Sequence, residues 1–169
     1  MGGNAGSCAR TNGWSPDGKR TRVGGCNPRR ASPQCSCKTK AESCLNGITF
    51  DAGGLIAADQ NDRRVLTLIV RVKERGLRIV IPATALAQVM RNPSRQARLC
   101  RLLRQPNTDL VALNGPDATA VGLLLARTGT ADIADAHVAI CAQRTGHTVV
   151  TSDPNDFARI APELQLMAV

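Results

Sequence analysis

Ile48-Thr49-Phe50-Asp51-Ala52-Gly53-Gly54 is a short run of β-type residues that stops on an aspartate and a flexible Ala-Gly-Gly. A later run, Thr148-Val149-Val150-Thr151-Ser152-Asp153, goes the same way, from strand residues to an aspartate. Between and after them, strand and helix patterns alternate. Val65, Leu68, Ile69 and Val72 stand at i, i+3, i+4 and i+7, which predicts a helix over 62–75 stopped by Gly76. Residues 77–81 read as a buried strand ended by Pro82. Two helices follow over 83–90 and 94–104, split by Asn92-Pro93, and then a strand over 109–113. Pro116 opens a helix reaching 127, at the first-turn position proline favours. The remainder reads as a helix over 130–144, a strand over 148–151, a short helix over 154–160 and a strand over 164–169. Such alternation implies an α/β/α sandwich whose central sheet is mainly parallel and covered on both faces.

Working back toward the start, the texture changes at about residue 45. Residues 1–44 contain many Gly, Ser, Pro, Arg and Cys and show no apolar period of 2 or 3.6. A stretch of this kind buries too little surface to offset its ordering entropy, so it is expected to be a disordered tail. The domain expectation is therefore a tail over 1–44 and one folded domain over 45–169. Two alternatives stand beside the tail: a metal knuckle on Cys35, Cys37 and Cys44, or a start site assigned too early. The seven cysteines include no C-x-x-C pair, so neither a zinc ribbon nor a closed disulfide framework fits. Cys100 and Cys141 lie in apolar helical patterns and read as small core or near-core residues.

The net charge of +9 is concentrated in the same tail, which holds eight Lys or Arg against two acids; residues 45–169 hold fourteen against eleven. A basic balance favours an acidic partner such as nucleic acid, although the excess sits mostly outside the expected domain. The apolar runs 66–70 and 121–126 are too short to span a bilayer, and no charged segment followed by an apolar one opens the chain. A cytoplasmic protein with no membrane partner is the expectation.

Ligands of parallel α/β sheets bind beyond the carboxyl ends of the strands. Asp51 and Asp153 fall there, while Asp132 and Asp135 share one helix face at i and i+3. Clustered carboxylates repel one another unless a cation neutralises them, and oxygen ligands without His or Cys point to Mg²⁺ or Mn²⁺. Each acid also has a plain structural role open to it. Asp132 can stabilise a helix start, Asp153 or Asp156 can cap the helix after Pro154, and Asp51 can serve a turn. Their joint placement at strand ends favours a site.

Four blocks in order, Ile48-Thr-Phe-Asp51-Ala-Gly, Ile81-Pro82-Ala-Thr-Ala-Leu-Ala-Gln88-Val, Ala131-Asp132-Ile-Ala-Asp135-Ala-His-Val-Ala and Val150-Thr151-Ser152-Asp153-Pro-Asn-Asp156-Phe157, resemble the PIN-domain toxins of the VapC type. The resemblance runs through 48–169. It implies a PIN-like fold and a Mg²⁺-dependent endoribonuclease acting on RNA, a homodimer held inactive by a cognate antitoxin protein. Matched residue by residue, Asp51, Asp135 and Asp153 take the places of metal-binding, catalytic acids, with Asp132 and Asp156 nearby. One position departs. Where the family carries Glu, this sequence has Gln88, whose amide oxygen can bind a cation but brings no charge and cannot act as a base. A catalytically weakened PIN scaffold acting as a binding protein, or an RNA-processing nuclease that is no toxin, are the alternatives.

For RNA contact, Arg91, Arg95, Arg98, Arg101 and Arg104 recur at three- and four-residue steps beside Leu99, Leu102 and Leu103, as a phosphate-binding or merely solvated helix face. Only Trp14, Phe50 and Phe157 are aromatic, which argues against a base-stacking sheet platform. His137, two residues from Asp135, is expected at the surface or the core edge rather than in catalysis.

Overall fold

In the computed structural model, residues 45–169 are described. The expected tail over 1–44 and its Cys35, Cys37, Cys44 alternative lie outside them. The described chain runs β1 (Gly47–Phe50), α1 (Ala52–Asp59), α2 (Arg63–Glu74), β2 (Arg78–Pro82), α3 (Ala83–Val89), α4 (Ala97–Leu103), β3 (Thr108–Val111), α5 (Gly115–Thr128), α6 (Ile133–Thr145), β4 (Thr148–Thr151), α7 (Pro154–Ile160) and β5 (Leu166–Ala168).

The five strands form one sheet in the order β3-β2-β1-β4-β5, and every pairing is parallel. β1 is central, with Ile48 opposite Ile79 on one side and Thr148 on the other. All four residues of β1 are buried. Successive strand side chains point to opposite faces, so a fully buried strand means a sheet covered on both. The expected α/β/α architecture with a parallel sheet is thus observed. From β1 the chain builds outward through β2 and β3, then returns to build β4 and β5 on the other side. This reversal places a topological switch point between the carboxyl ends of β1 and β4, where a crevice opens in folds of this kind.

Local chemistry sets the helix limits. Asp62 caps α2, its side chain accepting from the amides of Arg64 and Val65, and Val65, Leu68, Ile69 and Val72 form the buried face. Asn114 caps α5 by accepting from the Asp117 amide, and Pro116 lies one residue later in the helix than its sequence position suggested. α5 and α6 both end on a left-handed glycine, Gly129 at φ 67° and Gly146 at φ 66°. The main core gathers Ile48, Phe50, Leu55, Ile79, Ile81 and Phe157 with their neighbours. A smaller one joins Val121, Leu124, Ala136, Ala139 and Ile160 across α5, α6 and α7.

The sequence reading missed one element. Gly53-Gly54, poor helix formers, read as a turn, yet α1 starts immediately after Asp51. Close packing explains the glycines. A Cβ on Gly54 would lie 2.4 Å from the Val150 carbonyl oxygen, and one on Gly53 would strike the Ser152 side chain. Tertiary contact outweighs propensity here, and the two glycines let α1 lie against β4. α4 is also shorter than the expected 94–104, because Asn92 and Pro93 begin a turn in which the Asn92 side chain accepts from the Ser94 amide.

Candidate functional site at the β1–β4 switch point

Asp51 is the last link between β1 and α1. Its amide donates to the Val150 carbonyl oxygen at 3.2 Å, which ties the end of β1 to β4. Its side chain caps α1 by accepting from the Gly54 amide, and the residue is buried. Burial raises the Asp51 pKa, and the negative charge of Asp153 adds to the rise. The Gly54 amide and the Thr151 hydroxyl oppose it by hydrogen bonding to the carboxylate.

Asp153 stands across the crevice at the end of β4. It caps α7, accepting from the Asn155 amide at 3.1 Å, and its own amide donates to the Thr151 hydroxyl oxygen at 2.9 Å. Thr151 is fully buried, its hydroxyl oxygen takes the Asp153 amide, and the same hydroxyl favours the charged form of Asp51. Sequence reasoning gave Thr151 no role of its own. Its signal was present, a hydroxyl residue closing an apolar strand two positions before an acid.

The third acid comes from α6. Asp132 caps that helix, accepting from the Ala134 amide at 2.8 Å and the Asp135 amide at 3.0 Å. Asp135, in the first turn, is half-buried, and its carboxylate accepts no hydrogen bond from the described residues. Its pKa is pushed up to about 6, first by burial and then by the charges of Asp132, Asp51, Asp156 and Asp153. Asp135 therefore feels the charges of the other four acids. Asp156 lies exposed in the first turn of α7. Among the described residues no three His, Cys, Asp or Glu side chains stand close enough, as placed, to cage an ion. The raised Asp135 pKa reflects its burial first and the repulsion of the neighbouring carboxylates second. The donor set, carboxylates and a hydroxyl with no His or Cys, suits a hard divalent cation.

The remaining candidates are placed less centrally. Gln88 is exposed in the last turn of α3 and makes no hydrogen bond to the described residues. The arginines do not form one helical stripe, because Arg91 and Arg95 precede α4 and only Arg98 and Arg101 lie within it. Arg91 bends back onto the carbonyl oxygens of Ala87 at 2.8 Å and Met90 at 3.0 Å, and Arg98 reaches the Asp59 carbonyl at 3.4 Å. His137 is fully buried rather than at the surface or the core edge, with Nδ1 2.9 Å from the Thr84 hydroxyl. Helical geometry explains this. Two residues on from Asp135, it points away from the acids and into the packing of α6 against α3. The buried Asp117, paired with Arg144 at 2.9 Å, was not singled out either, since 27 residues separate the partners.

The family model described as PIN domain matches residues 49–162. The chain belongs to the PIN domain family. The match begins two residues before Asp51 and extends past α7, so every acid above lies inside the PIN domain. PIN domains are typically nucleases. Among solved structures, VapBC2 from Rickettsia felis, bound to a DNA fragment from its promoter, superimposes with a TM-score of 0.57 at 18% identity, covering 73% of this chain and 98% of that one. DNA-bound VapBC from Salmonella typhimurium gives 0.55 at 20% identity, covering 73% and 98%. VapBC-1 from nontypeable Haemophilus influenzae gives 0.53 at 18% identity, covering 72% and 97%. At these identities the likeness is one of fold. No curated protein matches the sequence. No helix among the described residues is long and apolar enough to cross a membrane.

Proposed function

We propose that this PIN domain is a Mg²⁺- or Mn²⁺-dependent endoribonuclease, the toxin of a type II toxin–antitoxin pair. What supports the reading is the PIN-domain match together with Asp51 and Asp153 at the carboxyl ends of β1 and β4 and Asp135 in the first turn of α6, whose pKa those two charges help to raise. The partner expectation is supported by the fold neighbours, which are VapBC proteins. In this reading a cognate antitoxin protein holds the toxin inactive, the toxin is a homodimer, and both work in the cytoplasm. In this reading the nuclease domain spans residues 45–169.

Asp51, Asp135 and Asp153 would hold the cation, which when bound lowers the pKa of a water and neutralises charge building on a phosphodiester. The chain's own contribution is positioning. Thr151 steadies the Asp153 side of the crevice by accepting the Asp153 amide, and its hydroxyl favours a charged Asp51. Asp132 fixes the first turn of α6 and so the direction of Asp135. Asp135, with its pKa near 6, keeps its proton in mildly acidic solution and must lose it to serve as a ligand, so activity rises with pH through about 6. Arg91, Arg95 and Arg98 are exposed cations available to the RNA backbone.

A second reading rests on Gln88, which is neutral where a carboxylate is expected. A PIN scaffold with weakened turnover would then act by binding RNA or a protein. One experiment separates the two: the full-length chain is incubated with a single-stranded RNA pool, with and without Mg²⁺, and the products are sequenced. Discrete cuts that disappear with EDTA support the nuclease. Cuts that survive EDTA, or no cuts at any Mg²⁺ or Mn²⁺ concentration, refute it.

A further inference from the structure

A trough of about 280 Å³ opens beside the acids, on the side of α1 that faces away from the core. Its floor is the helix face carrying Gly53, Ile56, Ala57 and Gln60, at i, i+3, i+4 and i+7. Ser152 and Val169 wall it at the end nearest the acids. Ser152 directly precedes Asp153, and the Val169 amide donates to the Thr151 carbonyl oxygen at 3.0 Å. Asp62 closes the far end, about 10 Å along the helix.

The chemistry of this trough differs from that of the acid crevice. The middle is apolar and open, with Ile56 43% exposed. Its ends carry hydrogen-bonding groups: the Ser152 hydroxyl, the Gln60 amide and the Asp62 carboxylate, of which only Oδ1 is engaged with α2. Immediately past Asp62, α2 opens with Arg63 and Arg64, both exposed and without an ion-pair partner among the described residues. An apolar shelf flanked by amide, hydroxyl and carboxylate matches a nucleobase, which offers a flat face and a polar edge. Cations just beyond match the phosphate that follows it. A protein helix would require a longer apolar groove than this volume offers.

The geometry points to this trough as a nucleotide subsite for single-stranded RNA. The base of the nucleotide next to the scissile phosphate lies on Ile56 and Ala57, with Ser152 at its acid-side end and Gln60 at the other, and its outer phosphate meets Arg63 and Arg64. This rests on the nuclease reading for the position of the scissile phosphate, but the binding itself is testable without cleavage. With no aromatic side chain in the trough, the contact is aliphatic, so it selects by base-edge hydrogen bonding more than by stacking strength.

The test uses the full-length chain, methyl-labelled at Ile and Val, titrated with uncleavable 2′-O-methyl hexanucleotides of single sequence. The Ile56 and Val169 methyl resonances should move on binding, and an oligonucleotide with one abasic position should move them less. Ile56→Ala should weaken binding by about 5-fold, the loss expected when the apolar surface that the isoleucine covers is uncovered. Replacing Arg63 and Arg64 by Ala should flatten the slope of log K against log salt by about 0.7 for each phosphate no longer neutralised. Unmoved Ile56 and Val169 methyls in the presence of bound oligonucleotide, an unchanged salt slope, or no binding at low salt would each overturn the subsite. Methyls that move only with a protein ligand would overturn it in favour of a protein-docking trough. If the methyls respond to RNA while no metal supports cleavage, the subsite stands and the nuclease reading falls.

Discussion

Replacing Asp135 by Asn should make the metal-free protein more stable while abolishing its response to Mg²⁺. Asp135 is a half-buried carboxylate that feels the charges of four other acids, and burial first, then those charges, raise its pKa from 3.8 to about 6. Taken at face value the shift is worth about 3 kcal/mol at neutral pH. Partial exposure screens the neighbouring charges, which brings the expected gain to roughly 1–2 kcal/mol. For a folded unit of this size that is a rise in Tm of about 3–8 °C. Asn is close to isosteric, and the Asp135 carboxylate accepts no hydrogen bond from the described residues, so the exchange loses little. The sign with pH follows from linkage. Between pH 3.8 and about 6 the folded wild type binds more protons at this site than the unfolded chain, so its stability falls as pH rises through that window. The Asn variant lacks this fall. Thermal melts at pH 4.5 and 7.5, in EDTA and in 5–10 mM Mg²⁺ (~100-fold above a weak Kd raises stability by about 2.7 kcal/mol), give the comparison. Mg²⁺ should raise the wild-type Tm at pH 7.5 and leave the variant unmoved. A variant no more stable than wild type at pH 7.5 in EDTA, or one with the same pH dependence, would refute the electrostatic argument.

Asp51→Asn should retain the α1 cap, since Asn caps as well as Asp, while lowering cleavage by two orders of magnitude or more; Asp51→Ala should in addition cost about 1 kcal/mol of stability. Parallel denaturant melts and initial rates separate the two effects, and equal stability of the Ala and Asn forms would deny the capping role. Gln88→Glu should lower the Mg²⁺ concentration needed for half-maximal cleavage with little change at saturation if position 88 only helps hold the cation, and should raise the saturated rate if a base is missing. Indistinguishable Mg²⁺ titrations would place Gln88 outside the site, in keeping with its exposure on α3. Deleting residues 1–44 should leave the melting transition and the cleavage rate nearly unchanged, and loss of cooperative unfolding would show that the domain boundary near residue 45 is wrong.

The fold was legible where burial and periodicity coincide. The four β-type residues ending at Phe50, the Val65-Leu68-Ile69-Val72 face and the Thr148–Thr151 strand lie where their patterns place them, because each pattern reflects a local requirement to bury one face. α1 was not legible. Its two glycines answer to the Val150 carbonyl and the Ser152 side chain, about a hundred residues away, and no local rule reports such a contact. The site divides in the same way. Asp51 and Asp153 were visible as acids at strand ends, and Asp132 and Asp135 as neighbours on one helix face. That the charges of the strand-end acids reach Asp135 depends on how α6 packs, which only the structure supplies. Both roles weighed for Asp132 and Asp153 are compatible. Each caps a helix with one oxygen, and each adds its charge to the group around Asp135. The arginine stripe is shorter than expected because the turn begun at Asn92 and Pro93 delays α4 to Ala97, which leaves Arg95 before the helix.

The most direct test of the account is where a divalent cation binds. Crystals of the full-length chain grown or soaked in Mn²⁺ at pH 7.5, above the Asp135 pKa, should give an anomalous difference peak ligated by Asp51, Asp135 and Asp153 oxygens at about 2.0–2.3 Å. No peak in the crevice at saturating Mn²⁺, or one bound elsewhere without these three carboxylates, would contradict it.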